Sequence, residues 1–295
     1  MFNGFERTSV KLDEVAIHYR KSADDDSKPG LLLLHGHPQT HVIWHKVAES
    51  LAQRFTVVCA DLRGYGDSDK PVPQAGHGNY SKRAMAADMV QLMAHLGFQE
   101  FFVVGHDRGG RVGHRLAADH PQCVHKLVLL DVAPTLAMYE QTSMAFAQAY
   151  YHWFFLIQPA PFPETLIGAD PEFYLLQTLG GRFAGLAPFT AEALDEYKRS
   201  IRQAGAIRGI CEDYRASATI DLEHDRLDIA EGKRLAMPLL ALWGAHGAIE
   251  RCFKPLDEWR KRAADVRGHA LPCGHYIAEE VPQLLLEELL TFLKD

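Results

Sequence analysis

A pentapeptide with a carboxylate at its centre, Gly105-His106-Asp107-Arg108-Gly109, follows an apolar run and precedes a stretch of helical character. It has the spacing of the G-x-S-x-G nucleophile elbow, with aspartate in the serine position. Small flanking residues let a strand and a helix close around such a turn, so the central side chain projects above a sheet. Asp107 is therefore a candidate carboxylate nucleophile that forms an ester intermediate. The pentapeptide alone is equally compatible with an ordinary turn in which Asp107 pairs with Arg108.

A second turn can stabilise the negative charge that this chemistry develops on oxygen. The sequence His35-Gly36-His37-Pro38 directly follows an apolar run. In this kind of site one oxyanion donor is the backbone N–H after the nucleophile, and another comes from this loop. We therefore predict that the N–H groups of Arg108 and His37 hold the oxyanion.

Histidines also cluster just beyond this turn, where His41 and His45 are one helical turn apart. This spacing is compatible with metal binding, but no carboxylate or thiolate completes a ligand set. We predict no metal site, and the chemistry inferred for Asp107 requires no organic cofactor.

The general base is expected near the C-terminus, where His275 precedes the last predicted helix. The segment 239–247 offers no carboxylate to orient it. Asp131 ends a different apolar run, at the predicted sheet edge that carries the elbow, and a charge buried there needs a partner. We predict that Asp131 orients His275. Asp257 is a weaker alternative because it lies in polar, helix-like sequence.

The elements that must position these residues alternate along the chain, which predicts an α/β fold: a mostly parallel sheet flanked by helices. Helices are predicted at Gly110–Asp119 and Pro282–Lys294. Short apolar runs predict buried parallel strands at Leu31–Leu34, Phe55–Ala60, Phe101–Val104, Leu127–Leu130 and Leu239–Trp243.

The strand pattern stops between Pro134 and about Asp228, where aromatic-rich helical sequence replaces it. We predict a core formed by residues 1–134 and 229–295 and a helical cap, 135–228, inserted into it. A cap in this position is expected to cover the carboxyl edge of the sheet, where α/β proteins bind ligands.

With aspartate in the elbow, the chain resembles the haloacetate (fluoroacetate) dehalogenases of the α/β-hydrolase superfamily. An arginine follows the nucleophile, where haloalkane dehalogenases and many epoxide hydrolases have tryptophan. The resemblance covers nearly the whole chain and includes the segments LLLLHGHPQT, VVCADLRGYGDSDKP, GHDRGGR, YHWFFLIQPAPFPE, IGADPEFY, CEDYRA and GHYIAEE.

The resemblance implies that Arg108 and Arg111 hold the substrate carboxylate and that His152, Trp153 and Tyr214 cradle the halide. The residue types suit these roles. A haloacetate anion approaching a chain of net charge -7 needs local cations, and arginine matches a carboxylate with a planar fork. Departing fluoride needs several fixed hydrogen-bond donors, which histidine, tryptophan and tyrosine provide.

The implied reaction converts fluoroacetate to glycolate and fluoride in two steps. Asp107 displaces the halide, and water deprotonated by His275 then hydrolyses the ester while Asp131 stabilises the imidazolium. Two positions depart from the family pattern, which often has phenylalanine at His37 and a cap tryptophan near Arg182. Both changes affect the shape or polarity of the pocket, so the preference among fluoro-, chloro- and bromoacetate stays open.

Two other functions remain open. An epoxide hydrolase uses the same Asp-His-Asp set with cap tyrosines that protonate the epoxide, and Tyr150, Tyr151 or Tyr214 could do so; the arginine pair disfavours a neutral substrate. The same fold can also form a small-molecule receptor with a slow or inactive site.

The composition, with 295 residues, 47% hydrophobic and 23% charged, is that of a globular protein. A nucleic-acid partner is not expected because no cluster of five or more Lys and Arg is present. No apolar run approaches the roughly 18 residues of a membrane span, and the charged first 20 residues lack a secretory signal, so we expect a cytoplasmic protein.

Five cysteines without a C-x-x-C pair predict reduced thiols. The family resemblance suggests a homodimer.

Overall fold

The computed structural model describes residues 1–23, 25 and 27–294, and its strands form one eight-stranded sheet. The strands are β1 (Phe5–Lys11), β2 (Ala16–Ser22), β3 (Gly30–Leu34), β4 (Thr56–Ala60), β5 (Phe101–His106), β6 (Val124–Leu130), β7 (Leu239–Gly244) and β8 (Val266–Leu271). Their spatial order is β1-β2-β4-β3-β5-β6-β7-β8. β1 and β2 are antiparallel to their neighbours, and all pairs from β4 to β8 are parallel. The predicted α/β class is therefore confirmed.

The five apolar runs predicted as strands correspond to β3 to β7, with bounds that differ by a few residues. β3, β4, β5 and β7 are buried along their whole length, as expected for parallel strands covered on both faces. The sequence analysis missed β1, β2 and β8. β1 and β8 lie at the two sheet edges and alternate exposed with less exposed positions, so they lack a continuous apolar run.

The predicted helices at Gly110–Asp119 and Pro282–Lys294 are present as α3 and α15, and none of the helices in the described ranges is long and apolar enough to cross a membrane. Short 3₁₀ helices occupy His41–Trp44, Ala75–Tyr80 and Pro121–Cys123. The α-helices are α1 (Ala48–Leu51), α2 (Lys82–His95), α3 (Arg108–Asp119), α4 (Thr135–Glu140), α5 (Met144–Ala149), α6 (Tyr151–Leu156), α7 (Phe162–Ala169), α8 (Pro171–Gly180), α9 (Ala191–Ile201), α10 (Ala206–Ser217), α11 (Ile220–Ala230), α12 (Ala248–Cys252), α13 (Pro255–Arg260), α14 (Ile277–Glu280) and α15 (Pro282–Phe292).

Helices α4 to α11 occupy the chain between β6 and β7, and the structure assigns no strand to the described residues of this stretch. Hydrogen bonds join them to loops that follow β3 and β4. Gln39 donates its Nε2–H to the Tyr197 hydroxyl at 3.1 Å, and the Tyr65 hydroxyl donates to Oδ2 of Asp213 at 2.6 Å. α9 and α10 therefore lie against the carboxyl edge of the sheet.

Candidate active site

Asp107 occupies the turn between β5 and α3, with a φ of 48° that is uncommon for a residue other than glycine. A Cβ on Gly105 would stand 2.4 Å from the carbonyl oxygen of Gly109. A Cβ on Gly109 would stand 2.4 Å from the carbonyl oxygen of Leu34. Side chains at either position would prevent the strand and helix from closing, so the two glycines create the sharp turn predicted from their spacing.

The loop after β3 approaches the same carboxylate. The backbone N–H of His37 lies 3.5 Å from Oδ1 of Asp107. Gly36 permits this approach, because a Cβ there would stand 2.4 Å from the Cβ of Asp107. Arg108 supplies the first N–H of α3, which has no acceptor within the helix. The arrangement can therefore provide two backbone donors to an oxyanion formed on the Asp107 carboxyl group.

His275 lies between two carboxylates. Its Nε2 is 3.3 Å from Oδ2 of Asp107, and its Nδ1 is 2.5 Å from Oδ2 of Asp131. The second oxygen of Asp131 accepts a hydrogen bond from the backbone N–H of Gly244 at 2.9 Å. Asp257, the weaker alternative, lies exposed on α13 and pairs with Arg260. The structure thus brings together the three residues predicted as nucleophile, base and orienting acid.

Burial and neighbouring charges shift the pKa values of Asp107 and His275 in opposite directions. Burial alone would raise the pKa of Asp107, but the hydrogen bond and charge of His275 hold it well below its usual value. Burial alone would lower the pKa of His275, but its hydrogen bonds to Asp107 and Asp131 raise it above 6.5. Asp107 is consequently ionised, as a carboxylate nucleophile must be.

The charge of Asp107 should be visible in the titration of His275. We expect Asp107→Asn to lower the pKa of His275, because the amide cannot stabilise the imidazolium as the carboxylate does. NMR titration of the His275 ring protons, identified by their loss in His275→Gln, measures the change. An unchanged or higher pKa in Asp107→Asn would contradict the coupling.

Arg108 is fully buried and engaged largely by an acid that the sequence analysis did not single out. Its Nε and Nη2 donate to the Asp213 carboxylate, each at 2.8 Å, and Nη2 also donates to the Ser217 hydroxyl. Its Nη1 has no hydrogen-bond partner among the described residues. The guanidinium lies over the Tyr214 ring, 4.1 Å from the centroid. Only one N–H edge of Arg108 is thus available to a ligand.

Arg111, one helical turn further along α3, has no ion-pair partner in the described part of the chain. Its Nη1 donates to the Ala133 carbonyl at 3.2 Å and to the Thr135 hydroxyl at 2.9 Å, and its Nε is unpartnered. The guanidinium lies 4.5 Å from the centroid of Trp153. Burial and the neighbouring Arg108 lower the pKa of Arg111 from its usual value. A buried cation without a counter-ion is suited to binding an anion.

The three residues predicted to bind a halide lie close together, His152 and Trp153 on α6 and Tyr214 on α10. The rings of His152 and Trp153 have centroids 5.8 and 6.3 Å from that of Tyr214. Nε1 of Trp153 and the hydroxyl of Tyr214 are buried and lack a hydrogen-bond partner in the described structure. Two polar hydrogen-bond donors are therefore available where the resemblance placed a halide.

The two positions that depart from the family pattern also face this region. His37 packs against His152, with ring centroids 5.9 Å apart, and its Nε2 is 3.0 Å from the Tyr174 hydroxyl. The Arg182 guanidinium lies 4.6 Å from the centroid of Tyr150 and, with His152, lines a cleft that opens to the surface. Arg182 thus places a third cation at the edge of the site.

Asp213, which holds Arg108 and also pairs with the buried ammonium of Lys82, was not among the predicted site residues. Asp213 immediately precedes Tyr214 in a segment that had been quoted for its resemblance, so its adjacency to a predicted site residue was the available signal. Tyr150, predicted only as a possible proton donor to an epoxide, has its hydroxyl 3.5 Å from Nδ1 of His275. Nothing in the local sequence distinguishes Tyr150 from Tyr151, whose side chain is exposed.

His41 belongs to a different cluster from His45 and contacts an acid remote in sequence. The ring nitrogens of His18 and His41 and a carboxylate oxygen of Asp61 lie within 4.8 Å of one another. However, Nε2 of His41 accepts a hydrogen bond from Arg20 at 3.0 Å, and its Nδ1 is 2.9 Å from Asp61. A guanidinium thus occupies the position of a cation, and we interpret the cluster as a structural hydrogen-bond network.

Comparison with known proteins identifies the family of the chain. Residues 29–282 match the model of a family described as alpha/beta hydrolase fold. The fluoroacetate dehalogenase of Burkholderia sp is 47% identical over 100% of this chain and 96% of its own. The soluble epoxide hydrolase of Corynebacterium sp. is 34% identical over 89% of each chain. The crystal structure of ALR0039 from Nostoc sp PCC 7120 superposes with a TM-score of 0.96 at 53% identity, covering 100% of this chain and 99% of that one. The chain belongs to the α/β-hydrolase family.

Proposed function

We propose that the protein hydrolyses the carbon–halogen bond of haloacetates, fluoroacetate included, through an ester on Asp107. The observation that carries the proposal is the pair of buried guanidiniums beside this carboxylate. Arg108 and Arg111 each retain one guanidinium nitrogen, Nη1 and Nε respectively, without a hydrogen-bond partner among the described residues. A buried, unsatisfied donor costs about 1–3 kcal/mol, and more on a charged group, which a substrate carboxylate would offset. The 47% identity to a fluoroacetate dehalogenase supports the same substrate class.

In the first step the arginines hold the carboxylate of the haloacetate. Asp107 attacks its α-carbon in line with the departing halide. The N–H of Trp153 and the hydroxyl of Tyr214 are free to donate to the halide as its negative charge develops. Because Asp107 is ionised and fixed at the elbow, no proton transfer is needed before this attack.

In the second step water attacks the carboxyl carbon of the Asp107 ester, and His275 accepts the water proton. Asp131 holds Nδ1 of His275 at 2.5 Å and stabilises the imidazolium. The N–H groups of His37 and Arg108 stabilise the oxyanion that forms. Collapse of this intermediate breaks the ester bond, and the leaving oxygen takes the proton back from His275, so glycolate is released and one solvent-derived oxygen stays on Asp107.

The proposed division into a core, 1–134 and 229–295, and a cap, 135–228, gives each part a function. The core supplies the nucleophile, the base and the oxyanion donors, and the cap supplies the halide donors. Cap residues also complete the anion site, since Asp213 positions Arg108. A homodimeric state and a cytoplasmic location stay predictions.

The proposal is tested by halide release with matched substrates. Fluoride released from fluoroacetate is measured with an ion-selective electrode, and fluoroacetamide serves as the neutral control with the same carbon–fluorine bond. We expect turnover of fluoroacetate and little of fluoroacetamide, because only the acid engages the arginines. Chloride release from chloroacetate without fluoride release from fluoroacetate would show that the assignment of His152, Trp153 and Tyr214 to fluoride binding is wrong.

A second candidate is epoxide hydrolysis, favoured by the unpartnered hydroxyl of Tyr214 and by the 34% identity to a soluble epoxide hydrolase. A tyrosine hydroxyl can donate to an epoxide oxygen during attack by Asp107. The arginines disfavour it, because a neutral epoxide leaves Arg111 without a counter-ion and gives Nη1 of Arg108 no anionic acceptor among the described residues. Turnover of styrene oxide without halide release from any haloacetate would establish this alternative.

A further inference from the structure

The side chain of His37 has one ring nitrogen engaged and one unpaired. Nε2 lies 3.0 Å from the Tyr174 hydroxyl, whereas Nδ1 is buried without a partner among the described residues. The two nitrogens diverge on the imidazole ring, so Nδ1 faces away from Tyr174. The proposed reaction uses only the backbone N–H of His37, so the side-chain atom Nδ1 has no role in it.

The His37 ring lies directly beside the residues assigned to the halide. It stacks on His152 with ring centroids 5.9 Å apart and planes 18° apart. It meets the ring of Tyr214 edge-on, with centroids 5.4 Å apart. A donor on His37 is therefore placed at the boundary between the oxyanion loop and the halide cradle.

The contact with Tyr174 fixes which nitrogen of His37 is free and leaves two tautomers to compare. If Nε2–H donates to Tyr174, the Tyr174 hydroxyl can turn to Thr178, and a lone pair on Nδ1 is buried without a partner. If the Tyr174 hydroxyl donates to Nε2, Nδ1–H is the unpaired group. An anion beside His37 pairs with Nδ1–H but is repelled by a lone pair there, so we assign the proton to Nδ1.

We propose that Nδ1–H of His37 is an additional hydrogen-bond donor to the departing halide, with Tyr174 holding the histidine in the required tautomer. The inference rests on the proposed haloacetate reaction and identifies a residue that sets its halide preference. The carbon–halogen bond breaks as the bond from Asp107 forms, and the halide leaves with the electron pair. No proton moves from His37.

The neutral state of His37 suits this role. Burial lowers its pKa to about 3, so at neutral pH the ring carries a single proton that Tyr174 directs to Nδ1. A neutral donor stabilises the departing halide without binding the free anion as tightly as an imidazolium would. Fluoride should benefit most, because its charge is the most concentrated among the halides.

The test compares fluoroacetate with bromoacetate in single-turnover halide release, with enzyme in excess, so that ester hydrolysis does not mask the first step. We expect His37→Phe to slow fluoride release by about tenfold and bromide release by less than about threefold. His37→Asn, which keeps an N–H near the Nδ1 position, should recover much of the fluoride rate. The backbone donor to the oxyanion is unchanged in both variants.

Tyr174→Phe provides an independent test, because it removes the proposed control of the tautomer and retains the histidine. It should slow fluoride release, but by less than His37→Phe does. Tyr80→Phe is the matched control, since the buried Tyr80 hydroxyl bonds the Pro71 carbonyl outside the site. If His37→Phe slowed fluoride and bromide release equally, or slowed neither, the proposed role of His37 would be overturned and the proposed haloacetate reaction would stand. No halide release by the wild-type protein would overturn the proposed function and this inference together.

Discussion

Asp107→Asn is expected to abolish steady-state halide release from haloacetates, with a loss in kcat of about 10⁴-fold or more. The asparagine amide is a poor nucleophile, so the ester cannot form. The elbow should be retained, because asparagine tolerates the positive φ of 48° at this position. The variant therefore removes the nucleophile while keeping the shape of the site.

Two measurements separate loss of the nucleophile from general damage. In ¹⁸O-labelled water the wild-type protein should incorporate label into Asp107, detected in the peptide that contains it. His275→Gln should instead accumulate the ester, seen as an increase in intact protein mass. Asp257→Asn is the matched control and should leave the rate unchanged, because Asp257 is exposed on α13. Substantial turnover by Asp107→Asn, or label absent from Asp107, would contradict the covalent mechanism.

Arg111→Leu is expected to lower kcat/KM for haloacetates by about 10²- to 10³-fold, mainly by raising KM. The guanidinium has no carboxylate partner in the described structure, so its charge is available to the substrate. For the same reason its removal should leave the unfolding temperature unchanged or raised, because a buried unpaired cation is itself unfavourable. Halide-release kinetics and thermal unfolding measure the two effects.

Arg108→Leu is the informative contrast to Arg111→Leu. It removes a partner of the buried Asp213 carboxylate, so it should lower stability as well as activity. Arg111→Lys should recover part of the affinity, because it keeps the charge but lacks the planar fork. Wild-type affinity in Arg111→Leu would assign a structural role to this arginine and favour a neutral substrate.

The sequence predicted the elements that depend on local pattern. The parallel strands β3 to β7 were predictable because strands buried on both faces are nearly continuous apolar runs. The turn at Asp107 was predictable because only glycine fits where strand and helix backbones approach closely. The edge strands β1 and β8 were not, because one-sided burial leaves a weak alternating pattern.

In the sequence, the spacing of the glycines made Asp107 a candidate nucleophile, and position along the chain made His275 a candidate base. Only the tertiary structure decided which donors are engaged and which are free. Asp213, remote in sequence, binds Nε and Nη2 of Arg108, whereas Arg111 has no acid partner in the part of the chain that the structure describes. Tyr174 likewise contacts His37 across 137 positions of the chain. Such pairings depend on how α8 and α10 pack over the sheet, and packing between distant segments leaves no periodic signature in the sequence.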